Sequence, residues 1–247
     1  MQTSGNTILI TGGTSGIGRA LAERFHAQGN QVIIAGRRQA LIDEIIAANP
    51  GMAGFALNID DPADIARAAG EIIAAYPALN VLINNAGIMR FEDATGARDL
   101  SDAEGMINSN LLGPIRMTDA LIDHLKSQAN PAIVNVTSGL AFVPLLSTPT
   151  YNATKAALHS YTLALRALLA GRVEVIELAP PAVQTDLTPG QATREGYLPL
   201  VDFIDEVMGL FAQTPTPAEI NVERVQFLRR AEIEGRLDQT IVMINAH

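Results

Sequence analysis

The stretch Thr7–Phe25, T-I-L-I-T-G-G-T-S-G-I-G-R-A-L-A-E-R-F, carries the reading of the fold. A short apolar run at Thr7–Thr11 passes directly into a glycine-rich turn, and the turn into a segment with amphipathic helical spacing. Strand, glycine turn and helix in immediate succession are the context that a phosphate-binding turn requires. Gly12 permits the tight turn, Gly16 lets a pyrophosphate approach the backbone, and Gly18 allows helix and strand to pack closely. Thr14, Ser15 and Ile17 complete the loop. The helix start adds unpaired N–H groups and the positive end of the helix dipole. The spacing is G-x-x-x-G-x-G, which differs from the common G-x-G-x-x-G fingerprint.

Outward from this turn, Gln31–Ala35 reads as a second strand ending in Gly36-Arg37-Arg38. An acidic residue here would accept hydrogen bonds from an adenosine ribose 2′-hydroxyl. Glycine instead leaves room, and arginine binds a 2′-phosphate in a bidentate fork, so NADP(H) is preferred and NAD(H) is the alternative. A helix over 38–50, a third strand over Ala53–Ile59, a helix over 62–75 and a fourth strand at Val81–Ile83 follow. This alternation predicts an α/β fold: one doubly wound parallel sheet of Rossmann type with helices on both faces, a single domain over 1–247. The glycine turn, Asn58, Asn84-Asn85-Ala86-Gly87, Ser138 and Pro180–Thr185 all fall at strand ends and converge on one rim of that sheet.

A second stretch, Ser138–Lys155, carries the chemistry. Pro149 excludes a regular helix just upstream, and the pattern from Asn152 onward reads as a long helix. Tyr151 and Lys155 are four residues apart and share a face of that helix. A phenol is a poor acid or base at neutral pH, and an ammonium beside it is expected to pull its pKa toward the working range. The chain has fifteen arginines but only two lysines, Lys126 and Lys155, so a lysine at this point is a marked choice.

Composition sets the outer bounds. The 247 residues include 48% hydrophobic and 17% charged residues, with mean hydropathy +0.18, which describes a globular chain that can bury a large core. A net charge of −9 argues against broad binding to nucleic acid or to an anionic membrane. There is no cysteine, hence no disulfide and no thiolate nucleophile. Four histidines, His26, His124, His159 and His247, show no metal-binding spacing, so no metal is expected. No signal peptide or membrane span is read in the chain, which points to the cytoplasm.

Taken together, these residues resemble the short-chain dehydrogenase/reductase family, in its branch of about 250 residues, over nearly the whole chain. Thr11–Gly18 is similar to the family's T-G-x-x-x-G-x-G turn, and Asn84–Gly87 to its N-N-A-G motif along the cofactor. Asn110 occupies the place of the catalytic asparagine, and Ser138, Tyr151 and Lys155 match the catalytic serine and Y-x-x-x-K. The resemblance implies that Tyr151 is the general acid in reduction and the base in oxidation, and that Ser138 polarises the substrate oxygen. It further implies that Lys155 lowers the Tyr151 pKa and binds the nicotinamide ribose, and that Asn110 holds a proton-relaying water. Cofactor contacts are expected from Gly12, Thr14, Ser15, Gly16, Ile17, Gly18, Arg37, Arg38, Asn58, Ile59, Asn85, Ala86 and Gly87. Tyr151, Lys155, Pro181, Val183 and Thr185 join them.

The sequence departs from the family at Asn58 and Asn80, where aspartate is usual, and at Pro181, where glycine is usual. The substrate side is expected to be apolar, lined by Met89, Leu140, Phe142 and Leu146, with 185–215 as a substrate-binding loop and lid. The expected activity is an NADP(H)-dependent carbonyl reductase or alcohol dehydrogenase acting on a small, largely apolar molecule. An NAD-dependent alcohol dehydrogenase and a non-catalytic NADP(H)-sensing module are the rivals. Apolar helices over about 101–126 and 152–170 predict a homodimer or homotetramer.

Overall fold

The computed structural model describes residues 1–246; His247 lies outside them. Seven parallel strands form one sheet in the order β3-β2-β1-β4-β5-β6-β7. They are β1 (Thr7–Thr11), β2 (Gln31–Gly36), β3 (Ala53–Ala56), β4 (Leu79–Asn84), β5 (Ala132–Val136), β6 (Glu174–Leu178) and β7 (Glu219–Ile220). The helices are α1 (Gly16–Ala27), α2 (Gln39–Ala48), α3 (Pro62–Ala75), α4 (Ser101–Ile107), α5 (Gly113–Lys126), α6 (Pro149–Leu168), α7 (Leu200–Phe211), α8 (Glu223–Arg229) and α9 (Leu237–Ile244).

The central strands are apolar on both faces, which divides the core in two. Ile8, Ile10, Val32, Ile34, Val81 and Ile83 face α1, α2 and α7, where Phe25 and Phe211 meet edge-on at 5.5 Å. The alternate residues Leu9, Ile33 and Leu82 face α3, α5 and α6. The strand order reverses between β1 and β4, and the carboxyl ends of those two strands open a crevice there.

Several expected boundaries move, each for a local reason. The fourth strand runs over Leu79–Asn84, because buried Asn80 and Asn84 find partners inside. Asn80 Oδ1 accepts from Thr7 N at 2.9 Å, and Asn84 Nδ2 donates to Asn135 Oδ1 at 2.9 Å. The third strand stops at Ala56, where Asn58 N turns to donate to Asp64 Oδ2. Pro149 is the first residue of α6, where its missing N–H removes no helical bond, so Tyr151 sits in the first turn. The expected helix over 101–126 is interrupted by one π-turn at Asn108–Leu112. The helical reading of 224–244 resolves into α8 and α9, parted at Gly235 with φ +67°. The expected lid over 185–215 is a loop only in its first part, since α7 buries Phe203 and Phe211 in the core.

Candidate active site

The turn after β1 interlocks with the loop after β4. Thr11 Oγ1 accepts from Asn85 N and Ala86 N, both at 3.1 Å, and Asn85 Nδ2 donates to Thr11 O and Gly12 O. A Cβ at Gly12, where φ is +66°, would lie 2.8 Å from Ala86 Cα. One at Gly18 would lie 2.3 Å from Asn85 Nδ2 and 2.4 Å from Gly12 O. Only glycine permits both approaches. The turn therefore presents bare backbone, with the first N–H groups of α1 unpaired within the helix.

A cleft of about 530 Å³ runs from this turn along the carboxyl ends of the strands. All of the expected cofactor-contact residues except Asn58 line it. At one end Arg38 Nη2 donates to Ser15 Oγ at 3.2 Å and Thr14 Oγ1 at 3.4 Å, which holds its guanidinium over the turn. Arg37, 65% exposed, reaches Asp60 at 4.0 Å. Toward the other end lie Ser138, Tyr151 and Lys155, each almost fully buried. Ser138 caps a short 3₁₀ turn by accepting from Leu140 N at 3.1 Å. Lys155 Nζ donates to Val136 O at 2.9 Å and stands 5.7 Å from the Tyr151 ring centroid.

Comparison with known proteins identifies the family. The family model for short chain dehydrogenases matches residues 6–196. The chain is 40% identical to an uncharacterized oxidoreductase, DltE, of Bacillus subtilis (strain 168), over 94% of this chain and 93% of that one. It is 35% identical to a serine 3-dehydrogenase of Agrobacterium fabrum, over 74% of each chain. A crystal structure of a short chain dehydrogenase from Burkholderia cenocepacia J2315 in complex with NADP superposes with a TM-score of 0.84, at 26% identity, over 98% of this chain and 99% of that one. This chain is a short-chain dehydrogenase.

Tyr151 and Lys155 sit in the first two turns of α6, and burial sets their protonation. Desolvation pushes the Tyr151 phenol up to about 12, with the Ser138 hydroxyl pulling the other way. Desolvation also brings the Lys155 ammonium down to about 8. In the chain by itself burial dominates the phenol, and the Lys155 Nζ is engaged by Val136 O.

Two expectations are corrected, the cofactor contact of Asn58 and the apolar lining by Met89, Leu140, Phe142 and Leu146. Asn58 stays off the cleft because its Oδ1 accepts from Asp60 N within its own turn, while Ile59 and Asp60 line the wall. Asn110 is fully buried: its Nδ2 donates to Ile88 O and Thr154 Oγ1, and its Oδ1 accepts from Ile88 N. Its side chain therefore ties the loop after β4 to α6. Met89, Leu140, Phe142 and Leu146 do not line the cleft. Phe142 packs between the His159 ring and the Arg229 guanidinium, and Leu146 is 64% exposed.

The short-chain dehydrogenase cleft also holds residues that pattern reading missed. Gln191 is buried beneath the Pro180–Thr185 segment, where Nε2 donates to Val183 O at 2.8 Å and Thr185 Oγ1 at 3.1 Å. A bridge between Val183 and Leu198 fixes the other side. These bonds support the segment around Pro181. Gln191 lies in a Thr/Pro/Gly-rich loop with no periodicity, so no sequence signal marked it. Ile88, Arg90, Asp186 and Leu187 also line the cleft.

Proposed function

We propose that this chain is an NADP(H)-dependent oxidoreductase that interconverts a carbonyl and a secondary alcohol on a small molecule. One observation carries the reading: Ser138, Tyr151 and Lys155 line the same cleft as the glycine turn and Arg37–Arg38. A dinucleotide fits the residues present, since glycine backbone, helix N–H groups and two guanidiniums suit phosphate. When bound, the nicotinamide supplies or accepts the hydride.

The chain's own residues handle the proton. Tyr151 carries its proton at neutral pH, since burial pushes its phenol up to about 12, and the adjacent Lys155 cation favours the phenolate left when that proton passes to a carbonyl oxygen. Ser138, beside it, offers a hydroxyl to the same oxygen and orients it. Lys155 places a cation under the phenol, and a neighbouring cofactor anion raises the fraction that is charged. Asn110 holds Ile88 and Thr154, and with them the alignment of the loop against α6. In the reverse direction Tyr151 takes the alcohol proton.

The 2′-phosphate reading rests on Arg37 and Arg38 and is tested by titrating the protein with NADPH and with NADH. NADPH binding at least about tenfold tighter, with the preference lost in Arg38→Ala, supports it. Equal or tighter NADH binding overturns it in favour of an NAD-dependent dehydrogenase. Tyr151→Phe separates enzyme from sensor: an oxidoreductase loses turnover and keeps cofactor affinity.

A second reading concerns the substrate. Arg90 lines the cleft, its exposed guanidinium 3.6 Å from Asp102, and the four apolar residues expected there do not. This supports a substrate whose anionic group competes for that guanidinium over a purely apolar one. A serine 3-dehydrogenase, whose substrate name denotes a carboxylate, is among the relatives. Arg90→Gln is expected to raise KM about tenfold or more for a hydroxy or oxo acid and to leave its neutral ester unaffected.

A further inference from the structure

Helix α6 grips the end of β5 at three consecutive residues. Lys155 holds the Val136 carbonyl at 2.9 Å, and Tyr151 stands beside the Ser138 hydroxyl. Thr137, between them, is held through Glu177 on β6: Thr137 Oγ1 donates to Glu177 Oε1 at 2.6 Å, and His159 Nδ1 lies 2.7 Å from Glu177 Oε2. Tyr151, Lys155 and His159 recur every four residues, so one face of α6 makes all three attachments.

Glu177 is fully buried, next to Val175, Ile176 and Leu178, which are apolar. A carboxylate in such a place is costly unless its oxygens are hydrogen-bonded. Here each oxygen has one partner, and both partners belong to elements of the reactive site. The charged groups around the pair are Arg229 on α8 and Glu219 on β7, which bond each other at 2.8 and 2.9 Å. Phe142 packs against both pairs, with its ring 5.0 Å from the His159 imidazole and 4.8 Å from the Arg229 guanidinium carbon.

We propose that Glu177 and His159 are positioning residues that hold Thr137, and through it the Ser138 hydroxyl, in register with Tyr151. The proposal rests on the oxidoreductase reading of Ser138, Tyr151 and Lys155. Its rival is a purely structural tie between α6 and β6.

The test compares Thr137→Val, Glu177→Gln and the conservative Thr137→Ser with wild type. It uses the full chain, NADPH titration, turnover of a carbonyl panel, and the ring carbon-13 signal of Tyr151 at neutral pH. The chain has four tyrosines, and Tyr151→Phe assigns the signal. The expected result is a fall in kcat of about tenfold to a hundredfold in Thr137→Val and Glu177→Gln. Cofactor affinity stays within about twofold, the Tyr151 signal shifts, and Thr137→Ser restores both readouts. Wild-type kcat and an unmoved signal in both disruptive variants, with only a lower melting temperature, overturn the proposal. If wild type turns over nothing, yet the signal moves in these two variants and not in Thr137→Ser, the positioning stands and the oxidoreductase reading falls.

Discussion

At the scale of single residues, Lys155 sets function against stability. Its ammonium pKa falls from 10.5 unfolded to about 8 folded, so the folded chain binds fewer protons between those values. Stability from this group therefore rises as pH climbs through that window, and its cost is greatest below about 8. At about 1.4 kcal/mol per pKa unit the cost is on the order of 3 kcal/mol. Lys155→Met is expected to abolish turnover and to raise the melting temperature at neutral pH by several degrees, read by calorimetry; an unchanged or lower value contradicts the assignment. For reduction, kcat/KM should decline on the alkaline side as Lys155 loses its proton, at or above the value of about 8 for the chain alone, and a profile with no alkaline decline argues against its role. Gly18→Ala would drive a methyl into Asn85 and Gly12 O, and should abolish NADPH binding in a fluorescence titration. The glycine turn of the cleft wall was legible because backbone approach demands glycine. Phe142 and Leu146 were misread, since apolar character alone does not say which side of a loop packs.

At the scale of elements, α6 depends on a residue far from it in sequence. Glu92, in the loop after β4, accepts from Thr150 N and Thr150 Oγ1, both at 2.9 Å, and from Arg98 at 3.1 Å. A carboxylate at the helix start satisfies N–H groups that α6 cannot pair itself. Glu92→Ala should destabilise the protein by about 1–2 kcal/mol and lower kcat more than it changes cofactor affinity. Chemical denaturation with parallel kinetics measures both, and an unaffected kcat would show that the contact serves folding alone. The element order was legible because apolar runs and helical spacing alternate so regularly. Strand ends were less so: Asn80 and Asn84 are polar, and only the partners across the sheet make them interior. The π-turn holding Asn110 leaves no trace in hydrophobic spacing.

At the scale of the whole molecule, one set of exposed apolar side chains lies on elements that pack together, α4, the π-turn and α6. Leu100 and Ile107 flank and end α4, Leu112 closes the π-turn, and Leu163 and Leu168 stand out from α6, with Leu168 80% exposed. No helix among the described residues is long and apolar enough to cross a membrane. Light scattering is expected to give a dimer or tetramer, and Leu163→Glu to shift it toward monomer; a monomer at all concentrations would falsify the assembly.

The bonding of Asn85 to Thr11 and Gly12 joins residues more than seventy positions apart into one surface. The first strand–helix–strand unit cannot supply that surface before β4 has docked beside β1. A nascent chain thus gains nothing from cofactor until its central strands are joined. Saturating dinucleotide therefore acts as a lock on the completed sheet, raising unfolding free energy by about 2.7 kcal/mol at a hundredfold excess over Kd. Under the proposed function, added dinucleotide is expected to slow proteolysis of the chain in proportion to that gain.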